Sequence, residues 1–227
     1  MTNWPAPQRP AAHAEQALVT AILDGTYPPG STLPGERDLA KKLGVTRPTL
    51  RETLQRLACE GWLLIQQGKA TQVQDYWRDG GLNVLSAMVR YSPQLPAEFV
   101  PNLLEVRLAL APAYTHAAVA RSASEVSVFL DGQSELDDQP EAFAAFDWTL
   151  HHTLTVASGN PIYTLILNGF AGFYEEMARL YFERAAARAL SREYYAALQT
   201  AVRRQDPDDA ERITRAVMAR SIALWHG

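Results

Sequence analysis

The chain has 227 residues, 47% of them hydrophobic and 20% charged, with a formal net charge of −4 and one cysteine. That length and balance suit two globular domains with packed cores and exclude a low-complexity or disordered chain. A lone cysteine excludes an internal disulfide, and the N-terminus carries no signal-like or arginine-rich stretch, so the cytoplasm is the expected compartment.

In chain order, residues 1–12, with Pro5, Pro7 and Pro10, read as a loosely docked arm. His13 to Asp24 predicts a helix with Ala17, Leu18, Ala21 and Ile22 inward, stopped by Gly25. Tyr27-Pro28-Pro29-Gly30 is an extended turn leading to Leu33-Pro34. Glu36 to Leu43 predicts a short helix with Leu39, Ala40 and Leu43 inward, and Gly44 supplies the left-handed stop. A third helix follows, capped by Thr46 with Pro48 in its first turn. Leu50, Leu54 and Leu57 form its apolar stripe, with Cys59 near that side and read as core. Thr46, Arg47, Thr49, Arg51 and Gln55 face the other way and can donate hydrogen bonds to phosphates and bases. Two helices meeting across a glycine predict a helix-turn-helix, with an ordinary helical hairpin as the alternative. Trp62 to Gln66 then reads as a strand, Gln67-Gly68-Lys69 as a turn and Thr71 to Val73 as the returning strand, which makes a wing whose Lys69 suits phosphate or a minor groove.

Charge is divided along the chain. Residues 1–74 hold eight Lys/Arg against six Asp/Glu, and the remainder holds thirteen against nineteen. Only the N-terminal part is fit to approach a polyanion, through a few placed contacts. Arg37 lies in the first turn of its helix, where the dipole disfavours a cation, so it needs a phosphate or an acidic neighbour such as Glu36 or Asp38.

Residues 75–81 read as a linker whose Gly80-Gly81 is the expected flexing point, between a domain over 1–74 and another over 82–227. The second domain shows seven amphipathic windows: 82–91, 96–121, 124–137, 141–158, 161–184, 191–205 and 207–225. The expected fold is mainly α, an N-terminal winged helix-turn-helix with a small β-hairpin wing followed by an all-α seven-helix bundle. The uncharged run between Asp147 and Glu175 is broken by Ser158-Gly159-Asn160-Pro161, which predicts two buried helices rather than a membrane span. Ile166, Leu167, Phe170, Phe173, Tyr174, Met177 and Tyr181 give an apolar surface that suits either plain core or an acyl tunnel. Arg107 sits in an otherwise apolar helix and needs a partner or a ligand anion. No Walker loop, zinc-protease helix, nucleophile elbow or dinucleotide fingerprint is present, and Glu175-Glu176 reads as a solvated edge, so an enzyme is disfavoured.

The stretch PPGSTLPGERDLAKKLGVTRPTLRETLQRLACEGWLLIQQGKATQV resembles the winged-helix domain of GntR-type bacterial regulators. The whole chain, including DYWRDGGLNVL, NLLEVR and ASGNPIYTLILNG, is similar to the acyl-CoA-responsive branch of that family. The resemblance implies a homodimer gripping a palindromic double-stranded DNA operator, with Arg37, Thr46, Arg47, Thr49 and Arg51 on bases and phosphates and Gly68 and Lys69 at the wing tip in the minor groove. Pro48 and Gln67 replace that branch's usual threonine and histidine, which bears on operator preference. No catalytic residue and no resident cofactor are implied. The implied effector is a long-chain acyl-CoA that releases the operator, handled by Arg107, Tyr181, Arg215, Ser221 and Trp225. Val217, Met218 and Arg220 replace a tyrosine, a glycine and a glutamate, so the CoA headgroup contacts differ, with Arg220 a new source of charge. The implied role is control of fatty acid metabolism, repressing degradation genes, with activation of unsaturated fatty acid synthesis left open. A related branch senses a small carboxylate through a metal held by one Asp and three His. Asp147 and His151 match two of those positions at i and i+4, but Tyr195 and Val217 occupy the others. No metal site is therefore expected, and Asp147 and His151 are expected to form an internal hydrogen-bonded pair.

Overall fold

The computed structural model describes residues 10–92 and 94–226. Helix α1 (Pro10–Leu23) takes in Pro10, Ala11 and Ala12 as well as the stretch expected from His13. It buries Ala14, Leu18, Val19 and Ile22, while Ala17 and Ala21 are only half-buried. The rest of the proposed arm lies outside the described residues. Helix α2 (Glu36–Leu43) buries Leu39 and Ala40 and ends on Gly44 at φ 66°, whose N–H returns to the carbonyls of Ala40 and Lys41. Helix α3 (Arg47–Cys59) opens on Thr46, whose hydroxyl accepts from the Thr49 N–H at 3.3 Å, and it buries Leu50, Thr53, Leu54 and Leu57. Cys59, expected in the core, is exposed, because it falls off the Leu50–Leu54–Leu57 stripe at the last turn.

The wing is shorter than its sequence signal. Strands β1 (Leu63–Leu64) and β2 (Gln72–Val73) pair antiparallel, with Leu63 opposite Val73. A third segment joins them: Thr32 bridges Gln72, and Ser31 O accepts from the Val73 N–H at 2.8 Å. The residues that follow the extended turn Tyr27–Gly30 thus form an edge of the sheet.

Short helices α4 (Tyr76–Asp79) and α5 (Asn83–Tyr91) follow, and the first compact unit runs through them to Leu95. Tyr76 packs its ring 5.0 Å from that of Trp62, and Asn83 Nδ2 donates to Glu60 O at 3.0 Å. Val84 and Met88 of α5 are buried. Gly80, read as a flexing point, is held by close packing: a Cβ there would lie 2.4 Å from Tyr76 O, and one on Gly61 would lie 2.8 Å from Gly80 Cα. The segment 75–91 is therefore part of the first unit's packing, and α5 is not a member of the bundle.

The second unit, from Pro96, is all-α. Helix α6 (Phe99–Leu130) breaks at Ser122 (φ −145°, ψ 44°), which accounts for the two windows expected on either side. A 3-10 turn (Asp131–Glu135) leads to α7 (Pro140–Ala157), and a corner at Ser158–Asn160 leads to α8 (Pro161–Asn168). The window 161–184 is not one helix: the i to i−4 ladder reaches Gly169 and gives way to an i to i−3 bond at Phe170, and α9 (Ala171–Phe182) follows. Helices α10 (Ala185–Arg203) and α11 (Pro207–His226) complete the unit. Leu150, Leu154, Phe143, Phe182, Tyr194 and Tyr195 are among its fully enclosed core side chains. Among the described residues no helix is long and apolar enough to cross a membrane.

Candidate functional site

Two surfaces carry the chemistry expected from the sequence, one in each unit. In the first unit the α2–α3 turn presents its cations outward. Arg37, Arg47 and Arg51 are exposed, as is Lys69 beside Gly68, which turns the wing tip at φ 75°. Arg47 makes no hydrogen bond or ion pair among the described residues, nor does the Lys69 side chain. Arg37 Nε rests 3.2 Å from its neighbour Asp38, an exposed pair of little energetic weight. Arg51 is more committed: its Nη2 and Nε reach the two Glu36 oxygens at 2.6 and 3.3 Å, and this fork holds the Glu36 carboxyl below its ordinary range. A phosphate engaging Arg51 must share it with Glu36. The Thr46 and Thr49 hydroxyls lie 2.9 Å apart at the cap, so the start of α3 already orders its own polar atoms.

In the second unit the polar groups converge inside the bundle. Arg107, from α6, is enclosed with Asp147 and His151 of α7. Its Nη2 lies 2.6 Å from Asp147 Oδ2 and also 2.6 Å from His151 Nε2. A guanidinium N–H can only donate, so Nε2 is the accepting nitrogen and the ring proton sits on Nδ1, 2.6 Å from the Tyr114 hydroxyl oxygen. Tyr195 donates to Asp147 Oδ1 at 3.1 Å, and Tyr174 donates to Oδ2. Asp147 and His151 themselves stand 3.6 Å apart and do not form the direct hydrogen bond expected from their spacing; the arginine bridges them instead.

Each charge state follows from these contacts. Burial opposes ionisation of Asp147, but Arg107 and the two tyrosine hydroxyls outweigh it and hold the carboxyl below its usual range. Burial and then the Arg107 charge push His151 down to about 3, so the imidazole is neutral. Burial raises the Tyr114 and Tyr174 hydroxyls, which stay protonated. One cation and one anion therefore cancel, and the cluster is neutral as a whole.

A cavity of about 110 Å³ abuts this cluster, walled by α6, α8 and α9. All seven residues read as a possible tunnel, from Ile166 to Tyr181, line it, together with Arg107, Tyr114 and His151 at its polar wall. A second, much smaller space of about 10 Å³ lies across Arg107, bordered by Asp147, Tyr181, Val217 and Ser221. Arg107 Nε is buried with no partner among the described residues.

The five residues assigned to the ligand by resemblance are not all brought together. Arg107 and Tyr181 border both cavities, and Ser221 borders the smaller one while donating to Met218 O at 2.7 Å. Arg215 is exposed and paired with Glu211 at 2.7 Å, one turn away on α11. Trp225 is half-buried at the end of α11, with the Arg184 guanidinium 5.3 Å from its ring centre. Arg220 is mostly exposed, 3.6 Å from Glu193. Glu175 and Glu176 are exposed, as a solvated edge requires. Sequence reasoning missed Tyr114, although it follows Arg107 by seven residues, two turns along one face of α6. Of the positions that a metal would use, Asp147 Oδ2 and His151 Nε2 are bonded to Arg107, and Tyr195 and Val217 complete the set. Among the described residues no cluster of three or more His, Cys, Asp or Glu is placed to hold a metal.

Comparison with known proteins divides the chain near residue 74, ahead of α4 and α5. Residues 10–73 match the family described as bacterial regulatory proteins, gntR family, and residues 74–227 match the FadR C-terminal domain. The fatty acid metabolism regulator protein of Shewanella halifaxensis is 43% identical over 216 residues, covering 95% of this chain and 90% of that one. Its namesake from Yersinia pestis is 40% identical over 219 residues, covering 96% and 92%. Among solved structures, Lar, described as controlling expression of the Listeria monocytogenes agr system, superposes with a TM-score of 0.62 over 99% of both chains at 14% identity, which shows a shared fold.

Proposed function

The chain belongs to the gntR family of bacterial regulatory proteins and carries that family's FadR C-terminal domain, and from that premise we propose that it binds a palindromic operator as a homodimer and leaves it when a long-chain acyl-CoA enters the second unit. It is a transcription regulator of fatty acid metabolism, the role its curated relatives are named for, and not an enzyme. DNA is its partner, reached through the α2–α3 turn and the wing, and its place of work is the cytoplasm. Repression of degradation genes is the expected output, by occupation of their operators.

The observation that carries the effector reading is the cavity: an apolar space bounded on one side by a polar cluster whose charges cancel. An apolar chain is favoured there by burial, at about 25 cal/mol per Å² of apolar surface. A free carboxylate gains little, because Arg107 is already matched by Asp147 at 2.6 Å. A neutral thioester carbonyl suits the same wall, because it adds no net charge to a cluster whose charges already cancel. A metal-dependent carboxylate sensor is the weaker reading, because the atoms it would need are bonded to a guanidinium.

The test is a gel shift on a palindromic operator, titrated with palmitoyl-CoA, CoA and palmitate in parallel. Release by the thioester alone is expected. Release by CoA alone, or indifference to all three, would refute the effector assignment.

A further inference from the structure

The second unit contains no lysine, and its permanent cations are eleven arginines set among a larger number of carboxylates. Among the described residues nine of these have a carboxylate within ion-pair distance, which leaves Arg121 and Arg184. Arg121 lies against the α7–α8 corner, where a Cβ on Gly159 would come within 2.6 Å of its Nε. Arg184 is placed differently. It stands between α9 and α10, directly after Tyr181 and Phe182, which line the cavity, and Glu183, which pairs with Arg179.

Only one of its nitrogens is in use. Nη1 donates to the carbonyls of Leu224 and Trp225 at the end of α11, and the guanidinium lies 5.3 Å from the Trp225 ring centre. Nε and Nη2 make no hydrogen bond among the described residues. That side-on edge is the one with which a guanidinium grips a phosphate through two parallel N–H bonds. The two carbonyls carry the partial negative charge of a helix end, which offsets only part of a full cation. A side chain fixed by a helix terminus and an indole face also loses little freedom on binding an anion. Arg215 and Arg220, the other arginines considered for the headgroup, already face Glu211 and Glu193.

We propose that Arg184 is a phosphate-binding residue, gripping a phosphate on the head of an acyl ligand whose chain lies in the α6–α8–α9 cavity. The inference rests on the acyl-CoA reading above and adds to it the residue that distinguishes a phosphorylated carrier from a bare thioester.

The experiment compares two ligands on the full chain by calorimetry: palmitoyl-CoA and the palmitoyl thioester of pantetheine, which has no phosphate. Arg184→Gln keeps a donor for the α11 carbonyls and removes the charge. It is expected to weaken palmitoyl-CoA roughly tenfold, as loss of a charged hydrogen bond does, and to leave the pantetheine thioester unchanged. The difference between the two proteins should shrink as salt rises, and Arg184→Lys should recover part of the loss. Equal weakening of both thioesters would assign Arg184 to holding α11 and overturn the proposal, as would unchanged palmitoyl-CoA affinity in Arg184→Gln. Absence of palmitoyl-CoA binding by the unaltered protein would overturn the effector reading as well.

Discussion

Removing both charges of the Arg107–Asp147 pair should cost well short of the sum of removing each one alone. The Asp147 side chain is 1% exposed and that of Arg107 is 20% exposed, so the carboxylate has no route to water and the guanidinium only a partial one when its partner goes. Asp147→Asn keeps an oxygen for the Tyr195 hydroxyl and deletes only the charge, leaving an enclosed guanidinium facing a neutral amide. Arg107→Met keeps the stem volume and leaves a carboxylate with two tyrosine hydroxyls. Breaking a buried pair from one side costs about 3 to 5 kcal/mol. The arginine deletion should fall at the lower end, because Tyr174 and Tyr195 still donate to Asp147. In the double variant no uncompensated ion remains, so its loss should not exceed that of the costlier single variant, which gives a coupling of about 3 kcal/mol. Urea unfolding of the full chain at pH 7, followed by far-UV circular dichroism, measures all four corners of the cycle. A double variant that loses the sum of the two single losses would refute the claim that the ions stabilise each other.

The remaining expectations concern pH and DNA. His151 is held at about 3 in the folded chain against 6.5 as a free group, so the unfolded state binds more protons between those values. Its contribution is fully present above about 6.5 and is lost as pH falls towards 3, at no more than about 1.4 kcal/mol per pH unit. His151→Gln should flatten the dependence of the urea midpoint between pH 6.5 and 4.5, and a slope as steep as the parent's would exclude His151 as its source. On DNA, Arg47→Ala should lose about 1 to 3 kcal/mol of preference for operator over random duplex, whereas Lys69→Ala should weaken both evenly and lower the salt slope by about one. Fluorescence anisotropy against salt separates the two, and equal loss on both duplexes for both variants would count against the assignment.

What the sequence disclosed divides along the range of the interactions. The α2 stop at Gly44 and the Thr46 cap are local: a left-handed residue and a hydroxyl three positions before an N–H suffice to place them. The cavity wall was legible because its seven residues recur on one helical face, even though the chain breaks at Gly169-Phe170 and the apolar pattern runs through the break unchanged. Periodicity shows that a face is buried, not what covers it. The window 82–91 was legible as amphipathic, and Val84 and Met88 are its buried face, but its place in the first unit is set by tertiary packing that no window contains. The bond from Tyr195 to Asp147 joins residues 48 apart, and that from Arg107 joins residues 40 apart. Spacing at i and i+4 suggested that Asp147 would meet His151, and only the folded chain shows an arginine standing between them. Arg215 illustrates the opposite case: Glu211 precedes it by four residues, a local pairing that competes with the ligand role taken from resemblance.

The size of the cavity constrains how an effector can act. An apolar hole of about 150 Å³ accommodates benzene, so the 110 Å³ here holds a group of about that bulk and no long chain. Under the acyl-CoA reading, a full-length tail fits only if the walls move, and one wall is bonded to the polar cluster. Tyr174 both lines the cavity and donates to Asp147, and Tyr181 lines both cavities. Displacing Tyr174 costs Asp147 one of its donors, so opening the cavity loosens the contacts that join α6, α7 and α9. A ligand shifts a conformational equilibrium only by its difference in affinity for the two arrangements. A tail that fits the existing hole without moving Tyr174 has no such difference to offer, however tightly it binds. Chain length therefore becomes a condition for a response as well as for affinity, because only a tail that must displace the α9 side chains discriminates between the closed and the opened bundle.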